Sequence, residues 1–281
     1  MTHVPHRRWS ALGVILVAIS WPAAAQNTSG AGFYPFIGNA RTIGMAGAYT
    51  AVSDDTGGLL FNPAGMAQVA TRQASVTQKV NGGTNYLALS YIEPVKEGKF
   101  GGGFTYLRAS DGTGRVDKAF QFTYGQYVEK GLAFGVNVKY LDVRATATKD
   151  TGFSFDIGAL YTPPSHPQWT VGLAVLDINE PSFKGLGLEK RIYNAGVAFR
   201  PDKQTVLALD WYDIGSVAKR GRVRFGAERQ LTRNIQLRAG VTQQVFAVGA
   251  SLTFKYVTID YGFQRVDKAA DLNMLSVVGN F

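Results

Sequence analysis

The feature that most constrains this chain is an alternation of side-chain character with a period of two residues, running from residue 72 to the C-terminus. Over residues 246–254, apolar side chains, most of them large, occupy every second position, and Ala247, Gly249, Ser251 and Thr253 lie between them. Successive side chains of a β-strand point to opposite faces, so the stretch predicts a strand with one apolar face and one small or polar face. The pattern recurs over residues 132–140, 153–161, 223–228, 235–242 and 257–264.

These two faces favour a membrane barrel over a soluble β-sandwich. A sandwich turns its large apolar residues into a core and presents polar side chains to water, whereas here the second face is rich in glycine, which weakens an exposed sheet. An apolar face turned to lipid around a crowded, partly polar interior accounts for both. Because unpaired backbone groups in lipid are costly, the sheet must close. The predicted fold is all-β: a transmembrane antiparallel outer-membrane β-barrel.

The alternation divides the chain into about fourteen strands, each near the ~9–11 residues that a tilted spanning strand needs. The predicted strands are 72–80, 85–92, 100–109, 117–127, 131–143, 152–162, 169–177, 191–200, 204–212, 220–229, 234–242, 245–254, 256–264 and 272–281. Their connections alternate between tight turns, assigned to the periplasmic side, and outer loops, of which only 179–190 has real length. The chain ends on Phe281, and such a terminal aromatic residue resembles the signal for the outer-membrane assembly machinery.

The first 25 residues have the pattern of a secretory signal peptide. Two arginines at positions 7 and 8 precede an apolar core over residues 11–19, and the small residues 22–25 form a cleavage site. The apolar core is too short for a spanning helix, which needs ~20 residues. The chain contains no cysteine, so it has neither disulfide nor lipid-anchor site, which suits an exported bacterial protein.

Composition argues against several function classes. Removal of the signal leaves 27 basic against 20 acidic residues, a net charge of about +7. The basic residues are spaced along strands, with no uninterrupted run longer than a pair such as Lys219-Arg220, so we expect no nucleic-acid partner. The mature chain has a single histidine, His166, and no cysteine, so we expect no metal site, no cofactor and no enzymatic activity.

One stretch of the mature chain, residues 40–69, does not alternate. It is rich in glycine and other small residues and carries two adjacent carboxylates, Asp54 and Asp55, followed by Asn62-Pro63. Asn before Pro favours a helix start, because Asn accepts from a free backbone N–H and the N–H missing from Pro costs nothing there. The carboxylates favour a second helix start, where negative charge meets the helix dipole. This stretch is the best candidate for what lies inside the barrel.

The motif comprises Ala40-Arg41, Gly44-Met45-Ala46-Gly47-Ala48, Ala51-Val52, Asp54-Asp55 and Asn62-Pro63-Ala64-Gly65-Met66-Ala67. It resembles the N-terminal signature of the FadL/TodX hydrophobic-compound transporters, and equally that of the related PorV-type outer-membrane barrels of secretion systems. The resemblance implies three parts: a signal peptide (1–25), a hatch that plugs the lumen (26–71) and a barrel (72–281). The plug or ligand-binding residues that it indicates are Arg41, Gly44, Met45, Gly47, Asp54, Asp55, Asn62 and Pro63.

Charged residues on the inward face form a second candidate set: Asp210, Arg222, Arg224, Glu228, Arg238 and Asp260. Both signs are present in similar number, which favours a self-neutralising network over a selectivity lining. If residues 40–69 lie in the lumen, their carboxylates need partners in a confined site, and inward arginines such as these three are available. The alternative is that Asp54 and Asp55 only cap a helix.

Two functions fit the resemblance. In the first, hydrophobic ligands bind inside a FadL-like barrel and leave sideways through its wall into the membrane lipid. Gly101, Gly102 and Gly103 are then candidates for a lateral gate, because consecutive glycines weaken strand pairing; the alternative is that they make room for the plug. In the second, a PorV-like barrel anchors or docks another envelope protein, for which short loops offer a flat surface.

Overall fold

The computed structural model describes residues 38–80, 85–94, 100–110, 114–213, 222–266 and 271–281. The predicted signal peptide and residues 26–37 lie outside this part of the chain. Within it, fourteen strands form one closed antiparallel barrel. They are β1 (Gln73–Lys79), β2 (Asn85–Pro94), β3 (Phe100–Ser110), β4 (Arg115–Glu129), β5 (Leu132–Ala145), β6 (Thr148–Tyr161), β7 (Trp169–Leu176), β10 (Ile192–Asp202), β11 (Thr205–Tyr212), β12 (Arg222–Gln230), β13 (Ile235–Thr242), β14 (Val245–Phe254), β15 (Val257–Val266) and β16 (Leu272–Asn280).

Strand β1 pairs with β16, from Gln73 opposite Asn280 to Lys79 opposite Met274, and this pairing closes the barrel. We call the end at which β1 begins and β16 ends the terminal end, and the opposite end the loop end. Two further strands, β8 (Ser182–Phe183) and β9 (Gly187–Leu188), form a small hairpin in the connection between β7 and β10. The predicted barrel strands are confirmed, and β4, β5 and β6 are longer than predicted.

The two faces of the wall differ as the alternation predicts. Phe122 and Trp211 are 62% and 53% exposed on the outside, whereas their neighbours Thr123 and Asp210 are 5% and 1% exposed on the inside. Water would penalise such an apolar outer surface, and lipid stabilises it. Together with the closed backbone pairing, it makes this a barrel of the bacterial outer-membrane type. No helix among the described residues is long and apolar enough to span a membrane.

Residues 38–69, which we call the inner segment, lie inside the barrel. The short helix α1 (Ala40–Gly44) packs against β13 to β16. The 3-10 helix Pro63–Gln68 contacts β2 to β6, on the other side of the lumen. The segment therefore crosses the lumen between opposite walls. It is almost fully buried; Met45, Tyr49 and Asn62, for example, have no exposed surface.

A belt of inward-facing glycines makes room for this segment. Neighbouring strands place these glycines directly opposite one another: Gly101, Gly125, Gly135 and Gly158 in one run, then Gly172 with Gly196, Gly226 with Gly240, and Gly249 with Gly262. A Cβ added at Gly135 would lie 2.3 Å from the backbone of Pro63, and one at Gly262 would lie 2.3 Å from the carbonyl oxygen of Ala40. The wall lacks side chains where the backbone of the inner segment touches it.

This contact predicts that a side chain on the belt will expel or misplace the inner segment. In Gly158→Val, the new Cβ would lie 2.0 Å from Oδ1 of the buried Asn62, and overpacking of a close-packed interior is destabilising. We expect a lower yield of the compact, heat-modifiable form on gels and faster proteolysis of the inner segment.

Gly102→Val is the matched control, because a Cβ at Gly102 has only the carbonyl oxygen of Thr123, 3.5 Å away, within contact range. Equal yields and equal proteolysis in the two variants would contradict the belt as a packing device.

Candidate functional site

The inner segment is tied to the wall through Arg41. Asn39 caps α1, its Oδ1 accepting from the backbone N–H of Thr42 at 2.9 Å, and thereby sets the direction of the helix. Arg41 Nε and Nη2 donate to the two carboxylate oxygens of Glu228 on β12, both at 2.8 Å. This two-point geometry is the strongest arrangement of an arginine–carboxylate pair. It fixes both the position and the rotation of α1 against the wall.

The Glu228 carboxylate also binds a second arginine, which belongs to the barrel wall. Glu228 Oε2 lies 2.7 Å from Arg238 Nε, and Arg238 Nη1 lies 3.1 Å from Asp260 Oδ1. Ser251 completes the set by accepting from Arg238 and donating to Asp260. Arg238 has a fully buried side chain, so removal of either carboxylate would leave a poorly compensated charge. The predicted self-neutralising network therefore contains Glu228, Arg238 and Asp260.

Asp54 and Asp55 share Arg41 and differ in their other partners. Asp54 Oδ1 lies 2.6 Å from Arg41 Nη1, and its Oδ2 lies 3.3 Å from Arg200 Nη2 near the end of β10. Asp55 Oδ1 instead accepts from the backbone N–H of Gly57 at 2.8 Å, at the start of the 3-10 turn Gly58–Leu60. Asp55 Oδ2 also accepts from Asn39 Nδ2 at 3.0 Å and lies 3.4 Å from Arg41 Nη1, so both carboxylates are partners of Arg41, and Asp55 in addition caps the turn.

The arginines that hold these carboxylates differ from those predicted. Arg238 is occupied by Glu228 and Asp260, and Arg224 donates to the carbonyl oxygen of Gly47 at 3.1 Å while its guanidinium stacks on the ring of Tyr212. Arg222 stands opposite Tyr212 in the first position of β12. Alternation identifies inward-facing residues, but it does not give their height in the lumen, and so it missed Arg200.

Other predicted residues hold the inner segment through its backbone. Asp210 Oδ2 accepts from the backbone N–H groups of Tyr49 and Thr50 at 2.8 and 2.7 Å. Asn62 Oδ1 accepts from Ala64 N at 3.1 Å, and Pro63 begins the 3-10 helix that follows, as the Asn-Pro pair predicts. The Asn62 side-chain amide donates to the carbonyl oxygens of Thr50 at 2.9 Å and Ala159 on β6 at 3.1 Å.

The small motif residues are positions of close approach. Gly47 has a φ of 74°, in the region that favours glycine, and a Cβ there would lie 2.8 Å from Arg224 Nη1. Gly44 lies against Gly249, and Met45 against Gly226 and Gly240. These contacts account for the residues by packing; a ligand-binding role for them stays a prediction.

The glycines Gly101, Gly102 and Gly103 lie in a stretch of β3 that is paired on both sides without a register shift. A Cβ at Gly101 would lie 2.4 Å from the carbonyl oxygen of Met66, and one at Gly103 would lie 2.5 Å from the Leu59 side chain. The first and third glycines therefore make room for the inner segment. Their predicted role as a lateral gate stays a prediction.

The loop-end half of the lumen contains an apolar cluster beside buried charged residues such as Lys139 and Asp177, and the sequence did not indicate this cluster. Inward-facing side chains from β2, β3, β5 and β16 join Phe183 of the β7–β10 connection in one cluster of buried residues, which we call the loop-end cluster: Tyr86, Leu107, Leu141, Val143, Phe183 and Met274. The same contact cluster includes Tyr49 and Phe61 of the inner segment. Packed apolar side chains thus lie between the inner segment and the connection that covers it.

A buried ion pair fixes the start of that covering connection, and the sequence interpretation missed it. Lys139 Nζ lies 2.5 Å from Asp177 Oδ1 and 2.6 Å from Asp156 Oδ1, and all three side chains are at most 3% exposed. Ser154 Oγ donates to Asp177 Oδ1 at 2.6 Å. Lys139 stands at an inward position of β5 between Val138 and Tyr140. In the sequence, only the alternation indicated that Lys139 points inward.

The ionic network leads to a prediction about the inner segment. Arg41→Gln removes the cation shared by Glu228, Asp54 and Asp55, and a buried pair broken on one side costs about 3–5 kcal/mol. We expect the inner segment to loosen and the single-channel conductance in planar bilayers to rise above the wild-type level. Arg72→Gln is the control, because its pair with Glu93 is exposed, with side chains 58% and 40% accessible. A rise in both variants, or in neither, would contradict the assignment.

A second prediction concerns pH. Burial, reinforced by Asp177 and opposed by Lys139 and Arg115, raises the pKa of Glu189 from 4.5 to about 7. The folded connection then binds more protons than the unfolded one between these values, so its stability should fall as pH rises through this window, by up to about 3 kcal/mol. Urea unfolding in vesicles at about pH 5 and about pH 8 measures this difference. Glu189→Gln should reduce it; an unchanged difference would refute the role of Glu189.

Comparison with known proteins agrees on the architecture. No protein-family model and no curated protein matches the sequence. Among solved structures, the CymD monoaromatic hydrocarbon channel is similar at a TM-score of 0.68 and 13% identity, covering 88% of this chain and 99% of that one.

Two further structures are similar. The toluene transporter TodX of Pseudomonas putida gives a TM-score of 0.64 at 11% identity, covering 85% of this chain and 96% of its own. A Pseudomonas aeruginosa FadL homologue gives 0.62 at 12% identity, covering 87% and 98%. The chain has the fold of the FadL and TodX outer-membrane barrels.

Proposed function

We propose that this chain is an outer-membrane channel that takes up apolar small molecules, with the inner segment as its plug. The observation that carries this proposal is the loop-end cluster. The interior of a porin-type barrel is polar and filled with water. Here part of the loop-end half of the lumen is lined by Leu107, Leu141, Val143 and Met274, which suit an apolar ligand.

The positions of the charged groups in the lumen bear on the route that an apolar ligand would take. One charged network, around Arg41 and Glu228, holds the inner segment toward the terminal end, and a second, Lys139 with Asp156 and Asp177, fixes the start of the β7–β10 connection. An apolar molecule entering at the loop end would meet the loop-end cluster before the charged network around Arg41. Burying the apolar surface of a ligand in this cluster is favourable, whereas removing water from the charged network around Arg41 costs free energy. A sideways route into the membrane therefore fits an apolar ligand better than passage along the axis.

The similar structures give this proposal its substrate class. TodX is described as a toluene transporter and CymD as a monoaromatic hydrocarbon channel. We infer a small apolar compound of this general kind, without a specific identity.

The test is uptake of radiolabelled toluene and of palmitate by a Gram-negative host whose own hydrophobic-compound channel has been deleted. We expect the chain to raise uptake of at least one of them above the empty-vector host. Leu107→Asp, which places a charge in the loop-end cluster, should abolish the gain while the compact folded form is retained on gels. Wild-type uptake at the level of the empty-vector host would refute the proposal.

The docking alternative is distinguished by purification in mild detergent. A copurified apolar compound supports transport. A stoichiometric envelope-protein partner without any such compound supports the PorV-like alternative instead, for which the short strand connections remain the argument.

A further inference from the structure

The lipid-facing wall contains a concavity of about 730 Å³ that crosses β5, β6, β7 and β10, and we call it the outer groove. The inner-segment residues that touch Gly135 and Gly158 from the lumen do not line it. The groove therefore opens to the outside of the barrel. Its outward-facing lining side chains are Phe134, Val136, Ile157, Ala159, Leu173, Val175, Tyr193 and Ala195.

Two alanines form the floor of the outer groove. Across neighbouring strands, Ala159 stands between Phe134 and Leu173, and Ala195 stands between Leu173 and Trp211. Each alanine leaves a depression between larger apolar neighbours. A flexible chain of methylene groups can fill such a depression and gain dispersion contacts along its length. The shape and the apolar lining of the groove suit a lipid acyl chain.

Polar donors stand at the loop-end edge of the outer groove. Arg191 directly precedes β10, and its Nη1 donates to the hydroxyl oxygen of Tyr193 at 3.2 Å. Its Nε donates to the carbonyl oxygen of Ile178 at 2.9 Å, which holds the guanidinium in place. Glu180 accepts from the backbone N–H of Arg191 at 3.4 Å, and no carboxylate among the described residues forms an ion pair with the guanidinium. Arg191 Nη2 and the hydroxyl proton of Tyr193 are thus available to an anionic group.

The distance from these donors to the floor of the groove matches the depth of one leaflet. Arg191 and Ala195 are four residues apart, which is about 13 Å along a strand. The hydrocarbon core of a bilayer is about 30 Å thick, so one leaflet contributes about 15 Å. A lipid headgroup at Arg191 would therefore place its acyl chain over Ala195 and Ala159.

We propose that the outer groove is a binding site for an anionic, phosphate-bearing lipid of the leaflet at the loop end, with an acyl chain in the groove and the phosphate on Arg191 and Tyr193. The forked guanidinium matches the geometry of phosphate oxygens, and the apolar lining buries the chain. Because Arg191 also holds the carbonyl oxygen of Ile178, the bound lipid braces the β7–β10 connection. The site lies outside the lumen and does not depend on the proposed uptake.

Quenching of tryptophan fluorescence by brominated lipids tests the site. Trp211 is 53% exposed on the outer face and stands opposite Ala195, so a brominated acyl chain in the groove quenches it. Trp169→Phe leaves Trp211 as the only tryptophan after the predicted signal peptide. In phosphatidylcholine vesicles, we expect brominated phosphatidylglycerol to have a binding constant at Trp211 about fivefold higher than that of brominated phosphatidylcholine. Equal constants would refute the proposal.

Two variants in this background test the headgroup contact and the groove separately. Arg191→Gln removes the cation and should abolish the preference for phosphatidylglycerol. Ala159→Phe fills the floor of the groove and should abolish the preference although Arg191 is still present. A preference that survives Ala159→Phe would assign it to the surface charge alone and overturn the groove as the binding site.

Arg265→Gln is the matched control. It removes an arginine from the loop end of β15, where Arg265 pairs with Asp271 at 3.1 Å, and it should leave the preference unchanged. An equal loss in Arg191→Gln and Arg265→Gln would indicate general attraction between the protein surface and anionic lipid, and would overturn the specific site. Absence of quenching by either lipid in the Trp169→Phe protein would show that a second copy of the chain covers Trp211, and would also overturn the proposal.

Discussion

The structure depends on the requirement that a sheet in hydrocarbon leaves no backbone hydrogen bond unpaired. Each exposed N–H or C=O in lipid costs several kcal/mol, so the sheet closes through β1 and β16. Closure with fourteen strands creates a lumen too wide for wall side chains alone to fill. The closed sheet in lipid requires an apolar outer face, and the wide lumen requires a further segment of the chain to fill it.

The inner segment fills the lumen, and the wall carries glycines instead of larger residues where the segment packs against it. The glycine belt brings the wall backbone against the backbone of the inner segment, as at Gly135 and Pro63. Packing alone would leave the register of the segment loosely defined. The pair between Arg41 and Glu228 defines it, because two parallel hydrogen bonds fix both distance and orientation. We regard this pair as a positioning element, since a buried ion pair gains little net stability over apolar packing.

The lumen contains both charged networks and an apolar cluster. The charges around Glu228 and Asp260 hold the inner segment from below, and the loop-end cluster covers it from above. A self-neutralised network resists penetration by apolar molecules, whereas the cluster accepts them.

The sequence by itself determined the strands, their facing and the special character of residues 40–69. Each of these follows from local chemistry: strand alternation has a fixed period of two, and Asn62-Pro63 favours a helix start wherever it stands. The sequence also predicted an inward set of charges that includes Glu228, Arg238 and Asp260. Only the tertiary structure decided which arginine meets which carboxylate, because pairing depends on strand stagger and on the path of the inner segment. Arg200 and Lys139 acquired their roles in this way, since alternation carries no information on height within a barrel.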